Sequence, residues 1–162
     1  MEKSLGLDSS LQIFIANLYP RCPNPDAAVG IAPHSDHGLF TLLIQNQVAG
    51  LHIQHKGNWV HVTPRPTPFW LTLVTIFRYI FSNGKYKSVL HRAVVNKIKA
   101  RISIAVANGP SADTVVSPAP RLLQTQGCRP AYVPMQYKDY LLAQQSNQLN
   151  GKSILERVQI QD

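Results

Sequence analysis

The chain has 162 residues, 44% of them hydrophobic, enough for one globular domain with its own core. Its 16 Lys and Arg against 8 Asp and Glu give a formal net charge of +8, but only Lys85-Tyr86-Lys87 and Lys97-Ile98-Lys99-Ala100-Arg101 cluster, so a nucleic-acid partner is not expected. Cys22 and Cys128 stand at no zinc-finger or redox spacing, and neither a signal peptide nor a long apolar span is present; a reduced cytoplasmic protein without membrane association is predicted.

Met1 to Ser10 is polar and carries no motif. Leu11 to Tyr19 reads as a strand that stops at the proline-punctuated loop Pro20-Arg21-Cys22-Pro23-Asn24-Pro25-Asp26. Leu39 to Gln45 reads as a buried strand, Gly50 to His55 as an alternating one, Lys56-Gly57-Asn58 as a turn, and Trp59 to Val62 as a strand halted by Pro64, Pro66 and Pro68. The apolar run Phe69 to Phe81 leads to Asn83-Gly84, a hairpin signal, and Ser88 to Val95 and Arg101 to Ala107 add further short strands. Short strands at close spacing predict a mainly β sandwich, barrel or jelly roll. Only Gln136 to Leu149 reads as a helix, with Asn150-Gly151 as its C-cap.

The chemistry concentrates at Ala32-Pro33-His34-Ser35-Asp36-His37-Gly38. In an extended segment, side chains at i and i+2 leave the same face, so His34 and Asp36 can close on one small cation. One further histidine would complete a two-His, one-carboxylate face with open positions opposite, and His91 is the candidate. In Arg101-Ile102-Ser103 a guanidinium fork and a hydroxyl again share a face, a pair suited to the far carboxylate of a dicarboxylic co-substrate.

Together, His34-Ser-Asp36, His91, Arg101-Ile-Ser103 and Asn17-Leu-Tyr19 resemble the plant 2-oxoglutarate and Fe(II)-dependent dioxygenases. Collateral matches include Tyr19-Pro20-Arg-Cys-Pro23, Gly57-Asn-Trp59-Val and Ser82-Asn-Gly84-Lys-Tyr-Lys-Ser88-Val-Leu-His91-Arg, and Ala107-Asn108-Gly109-Pro110 is nearest the flavanone 3-hydroxylase-like and salicylate-hydroxylase-like branch. The resemblance implies a double-stranded β-helix (jelly roll) core with a C-terminal helix. It implies that His34, Asp36 and His91 bind Fe(II), favoured over zinc, and that Arg101 and Ser103, assisted by Tyr19, bind 2-oxoglutarate. It further implies O2 as co-substrate, ascorbate as reductant, and hydroxylation or desaturation of a small flavonoid-like or phenolic metabolite with release of succinate and CO2. Strand alternation suggests Ala107 and its neighbour Asn108 at the substrate, and Phe40 is a third candidate, although Phe40, Tyr19 and Tyr137 equally suit packed aromatic positions. His37, His52, His55 and His61 gain nothing from the resemblance and read as surface residues or residues behind the ligands.

Two departures define an alternative, a truncated and catalytically impaired fragment of the family. Family members usually carry a substantial region ahead of the barrel; residues 1–10 are expected to be its remnant and 11–162 the jelly-roll domain, with apolar barrel surface exposed. Across Thr67 to Tyr79, the family has a strand and turn resembling Asn-Ser-Ile-Leu-Val-Asn-Ile-Gly-Asp. Codons can be written for the present residues that give that pattern when read one base earlier, so a compensated frameshift between about Pro66 and Ser82 is the expectation, with misfolding of the strand.

Overall fold

Period-two alternation of side chains across paired strands builds this protein around a space between two sheets. The computed structural model describes residues 5, 7–64, 69–73, 76–86, 88–145 and 157–160. Its strands are β1 (Leu11–Tyr19), β2 (Ile31–His34), β3 (Phe40–Gln45), β4 (Leu51–His55), β5 (Asn58–His61), β6 (Phe69–Leu73), β7 (His91–Ala93), β8 (Arg101–Gly109), β9 (Val115–Val116) and β10 (Met135–Gln136). One sheet has the order β1-β8-β3-β6, a second the order β2-β7-β4-β5, and β9 pairs with β10. All pairings are antiparallel, and neighbours distant in sequence lie side by side, as in the expected jelly roll.

Register decides what faces inward. On β1 and β8, Tyr19 is paired with Arg101, Asn17 with Ser103 and Ile15 with Ala105, so all six leave one face. On β3, Gln45 is paired with Ser103 and Leu43 with Ala105, which continues that face. The intervening residues point outward, and Phe14, Leu18 and Ile102 are 67%, 65% and 50% exposed, in keeping with the expected apolar outer surface.

The apolar core lies elsewhere, in a cluster of Leu5, Leu39, Ile76, Ile80, Val116, Tyr132, Tyr137, Tyr140 and Val158. A π-helix (Ile76–Phe81) and the helix α2 (Tyr137–Gln145) contribute to it. Leu5, within the segment read as a remnant, is part of this cluster.

Several expectations are revised. The predicted C-terminal helix forms over Tyr137–Gln145, while residues 146–156, including Asn150-Gly151, lie outside the described residues. A second helix, α1 (Pro120–Gln126), has no counterpart in the sequence reading; its Pro at the first turn is tolerated because that N–H has no intrahelical partner. Lys56-Gly57 joins β4 to β5 as a true hairpin, with His55 opposite Asn58. Asn83 and Gly84 also take positive φ, 56° and 77°, yet they follow the π-helix and join no paired strands, because β6 pairs with β3 and β7 with β2 and β4. Thr67 and Pro68 lie outside the described residues. Over Phe69–Leu73, where misfolding is expected from the sequence, five residues pair in register with β3. Among the described residues no helix is long and apolar enough to cross a membrane.

Candidate metal and co-substrate site

Between the sheets lies a cavity of about 450 Å³, lined on one side by Asn17, Tyr19, Thr41, Leu43, Arg101 and Ser103, and on the other by His34, Leu51, Ile53 and His91, with Asp36 in the wall. His34 reaches it through an irregularity. Ile31 is opposite Ala93 and His34 opposite His91, so β2 spends one more residue than β7 over the same interval. Strict alternation from Ile31 would turn His34 away; the bulge turns it inward. Pro33 fits there because β2 is an edge strand, where a missing N–H costs no ladder bond.

Asp36 is positioned differently from the expectation. The strand ends at His34, so Asp36 stands in the following loop rather than at i+2 of an extended segment. The loop closes at Gly38, whose φ of 112° disfavours a side chain and whose hypothetical Cβ would lie 2.7 Å from the Asn108 carbonyl oxygen. That close approach sends the chain from the loop into β3.

The three side chains meet. His34 Nε2 and His91 Nε2 each lie 3.5 Å from Asp36 Oδ1, and the ligand atoms of all three are within 4.8 Å of one another. His34 Nδ1 is 2.8 Å from the Ala32 carbonyl oxygen and His91 Nδ1 is 3.3 Å from that of Val89. A carbonyl only accepts, so both Nδ1 atoms carry the proton and both Nε2 lone pairs face the carboxylate. Two lone pairs and an anion converging on one point call for a cation, and backbone carbonyls fixing the tautomer are the usual support for metal-binding histidines. Two imidazoles and one carboxylate on one face fit a mononuclear Fe(II) site.

Protons compete for the same point. Burial pushes the Asp36 carboxyl up, but hydrogen bonding from His34 and the charge of His91 outweigh it and hold it below the ordinary range. The bond to Asp36 raises His34, against a smaller effect of burial, whereas burial lowers His91 despite the nearby carboxylate.

Arg101 occupies the buried part of the cavity, 1% exposed. Its Nη2 donates to Gln45 Oε1 at 2.7 Å, its Nη1 to Ser103 Oγ at 3.4 Å, and its guanidinium carbon lies 4.9 Å from the Tyr19 ring centroid. Among the described residues no carboxylate pairs with it, and its Nε, like Gln45 Nε2, is buried without a hydrogen-bond partner. Burial lowers the Arg101 pKa, opposed by Tyr19, but a guanidinium keeps its charge in any protein environment. A buried, uncompensated cation with unused donors fits a carboxylate ligand.

The structure thus brings together His34, Asp36, His91, Arg101, Ser103 and Tyr19 around one cavity. It does not bring Phe40, Ala107 or Asn108 to that wall. Phe40 packs against the apolar core, and Asn108 faces away, its Oδ1 accepting from Gln12 Nε2 at 2.7 Å. Ala107 keeps the inward face opposite the cavity-lining Thr41, yet the lining on β8 ends at Ala105. Periodicity gave the face, not the depth at which the cavity closes. Sequence reasoning missed Gln45, whose only signal is a polar residue ending an apolar strand. It also missed the apolar lining Leu51, Ile53, Val62 and Val89. Of the histidines read as peripheral, His52 is buried at 5% exposure and accepts from Arg92, and His37 Nδ1 lies 3.0 Å from the Tyr140 hydroxyl.

A two-sheet jelly roll with two histidines and a carboxylate beside a buried arginine defines an oxygenase-type architecture. Residues 10–110 match the 2OG-Fe(II) oxygenase superfamily, and the chain belongs to that family of oxidoreductases. It is 42% identical over 161 residues to 2-oxoglutarate-dependent dioxygenase 19 of Oryza sativa subsp. japonica, covering 99% of this chain and 47% of the relative. It is 41% identical over 127 residues to feruloyl CoA ortho-hydroxylase 1 of Arabidopsis thaliana, covering 77% of this chain and 35% of that one. A crystal structure of JOX2 in complex with 2OG, Fe and JA superposes with a TM-score of 0.79 at 35% identity, over 88% of this chain and 42% of that one. The chain therefore spans less than half the length of these relatives.

Proposed function

We propose that this chain carries the Fe(II)- and 2-oxoglutarate-binding machinery of a dioxygenase that hydroxylates or desaturates a small, flavonoid-like or phenolic metabolite, using O2 and releasing succinate and CO2. The supporting observation is the placement of the His34, Asp36, His91 cluster and the buried Arg101 on one cavity. His34, Asp36 and His91 hold Fe(II), which when bound supplies the family's oxygen-activating redox chemistry, with ascorbate keeping it reduced. Arg101 and Ser103 grip the distal carboxylate of 2-oxoglutarate, and the Tyr19 ring, 4.9 Å from the guanidinium carbon, supports the cation. Leu43, Leu51, Ile53, Val62 and Val89 give the remaining wall its apolar character, which suits an aromatic substrate and keeps bulk water from the reacting centre.

A second reading, a family member that binds metal but is catalytically impaired, is favoured by the exposed apolar face at Phe14, Leu18 and Ile102. One experiment separates the two. The protein is incubated with Fe(II), ascorbate and 2-oxoglutarate, and succinate is measured with His91→Ala as control. Succinate from the wild type alone supports the dioxygenase; equal release from both defeats it. Metal binding without succinate leaves the impaired form.

A further inference from the structure

Gln45 is the last residue of β3, directly opposite Ser103 on the inward face, and it reaches diagonally to Arg101, two residues along β8. It is 7% exposed and does not line the cavity; its contact is with the guanidinium, at 2.7 Å. An acceptor in that place fixes one arm of Arg101. What distinguishes this acceptor is that it is neutral. A carboxylate there would form a buried ion pair, satisfy the charge and leave nothing for a ligand to complete. Ser103 and Tyr19, the other partners, are neutral as well.

We propose that Gln45 is the positioning and selectivity residue of the Arg101 seat: it orients the guanidinium while leaving its charge uncompensated, so that the seat is completed only by a ligand ending in a carboxylate. This rests on the reading of the cavity as a 2-oxo acid site. The ligand class that follows is a 2-oxo acid with an anionic far end, in preference to one whose far end is a neutral amide of the same shape.

The test compares wild type, Gln45→Glu and Gln45→Met as full chains loaded with Mn(II), which holds the metal position without oxygen chemistry. Calorimetry measures binding of 2-oxoglutarate and of its far-end amide, 2-oxoglutaramate, and melting curves verify folding. Wild type is expected to favour 2-oxoglutarate by about tenfold or more, the worth of a charge-assisted hydrogen bond over a neutral one. Gln45→Glu is expected to weaken 2-oxoglutarate by about 100-fold while leaving the amide within about threefold, which cancels or reverses the preference. A merely structural role for Gln45 would weaken both ligands equally. Gln45→Met, which keeps volume and loses the acceptor, is expected to weaken 2-oxoglutarate about tenfold, and it carries the test should Gln45→Glu fail to fold. Unchanged affinity in the folded variants, or an unchanged preference in Gln45→Glu, overturns the inference while leaving the dioxygenase reading intact. A wild type that binds Mn(II) but neither 2-oxo acid overturns both.

Discussion

Gly50→Ala is expected to strike both the packing and the ligand seat. An ideal Cβ at Gly50 would lie 2.6 Å from Arg101 Cδ and 2.8 Å from the Val94 carbonyl oxygen, inside the 3.4–4 Å of ordinary contact. Neither neighbour yields freely. Val94 N donates to Gly50 O at 2.8 Å, which clamps the two backbones, and Arg101 is buried with its guanidinium bonded to Gln45 and Ser103. Overpacking of this kind costs about 1–3 kcal/mol. For a domain of this size that lowers the melting temperature by roughly 2–12 °C, at about 2–4 °C per kcal/mol. Where the Arg101 stem gives way, the guanidinium swings off Gln45 and 2-oxoglutarate affinity falls by about tenfold. Mn(II) affinity stays as it was, because the substitution touches none of His34, Asp36 and His91. Thermal melts and calorimetry on the Mn(II)-loaded protein read the two effects. A variant that melts within about 1 °C of wild type and binds 2-oxoglutarate equally well would refute the packing argument.

Asp36→Ala removes the anion between two imidazole lone pairs and is expected to weaken Mn(II) or Fe(II) binding by more than about 100-fold, beyond the loss seen when only a supporting residue is removed; retention of metal at micromolar concentration would contradict the assignment. Burial, with the charges of His61 and Arg92, lowers the His52 pKa, and its Nδ1 accepts from Arg92, so protonation breaks that bond. The unfolded chain therefore takes up this proton first, and the stability His52 contributes is complete above about pH 6.5 and lost as pH falls through the lower folded value. In metal-free protein the denaturation midpoint is expected to fall between about pH 7.5 and 5.5, and less steeply in His52→Phe; identical slopes would show that His52 is not a source of the effect. Phe14→Ser with Leu18→Thr, on the exposed sheet face, is expected to raise solubility while changing stability by less than about 0.5 kcal/mol each, measured by denaturant titration.

The sequence by itself located the strands read over Leu11–Tyr19, Leu39–Gln45, Gly50–His55 and Arg101–Ala107, because short apolar or alternating runs bounded by proline, glycine and polar turn residues are a local signal. It also offered His34, Asp36, His91, Arg101 and Ser103 as candidates that the fold places around one cavity, since a metal face and a carboxylate fork are built from few side chains. What it could not decide depends on contacts between distant segments. The turn of His34 into the cavity comes from a bulge against β7, and the position of Asp36 from a loop closed by Gly38 against Asn108. The Asn83-Gly84 turn has the conformation its residues favour but joins no hairpin, because strand partners are chosen by the whole sheet order rather than by the turn. Phe40 and Asn108, opposite each other across β3 and β8, fall on the outward face, while Ala107 shares the inward face but lies beyond the cavity lining, because alternation assigns a face and leaves the depth of the cavity to the packing of the sheets. Gln45 became legible only once β3 lay beside β8, where one amide oxygen meets a buried cation 56 residues away in the chain.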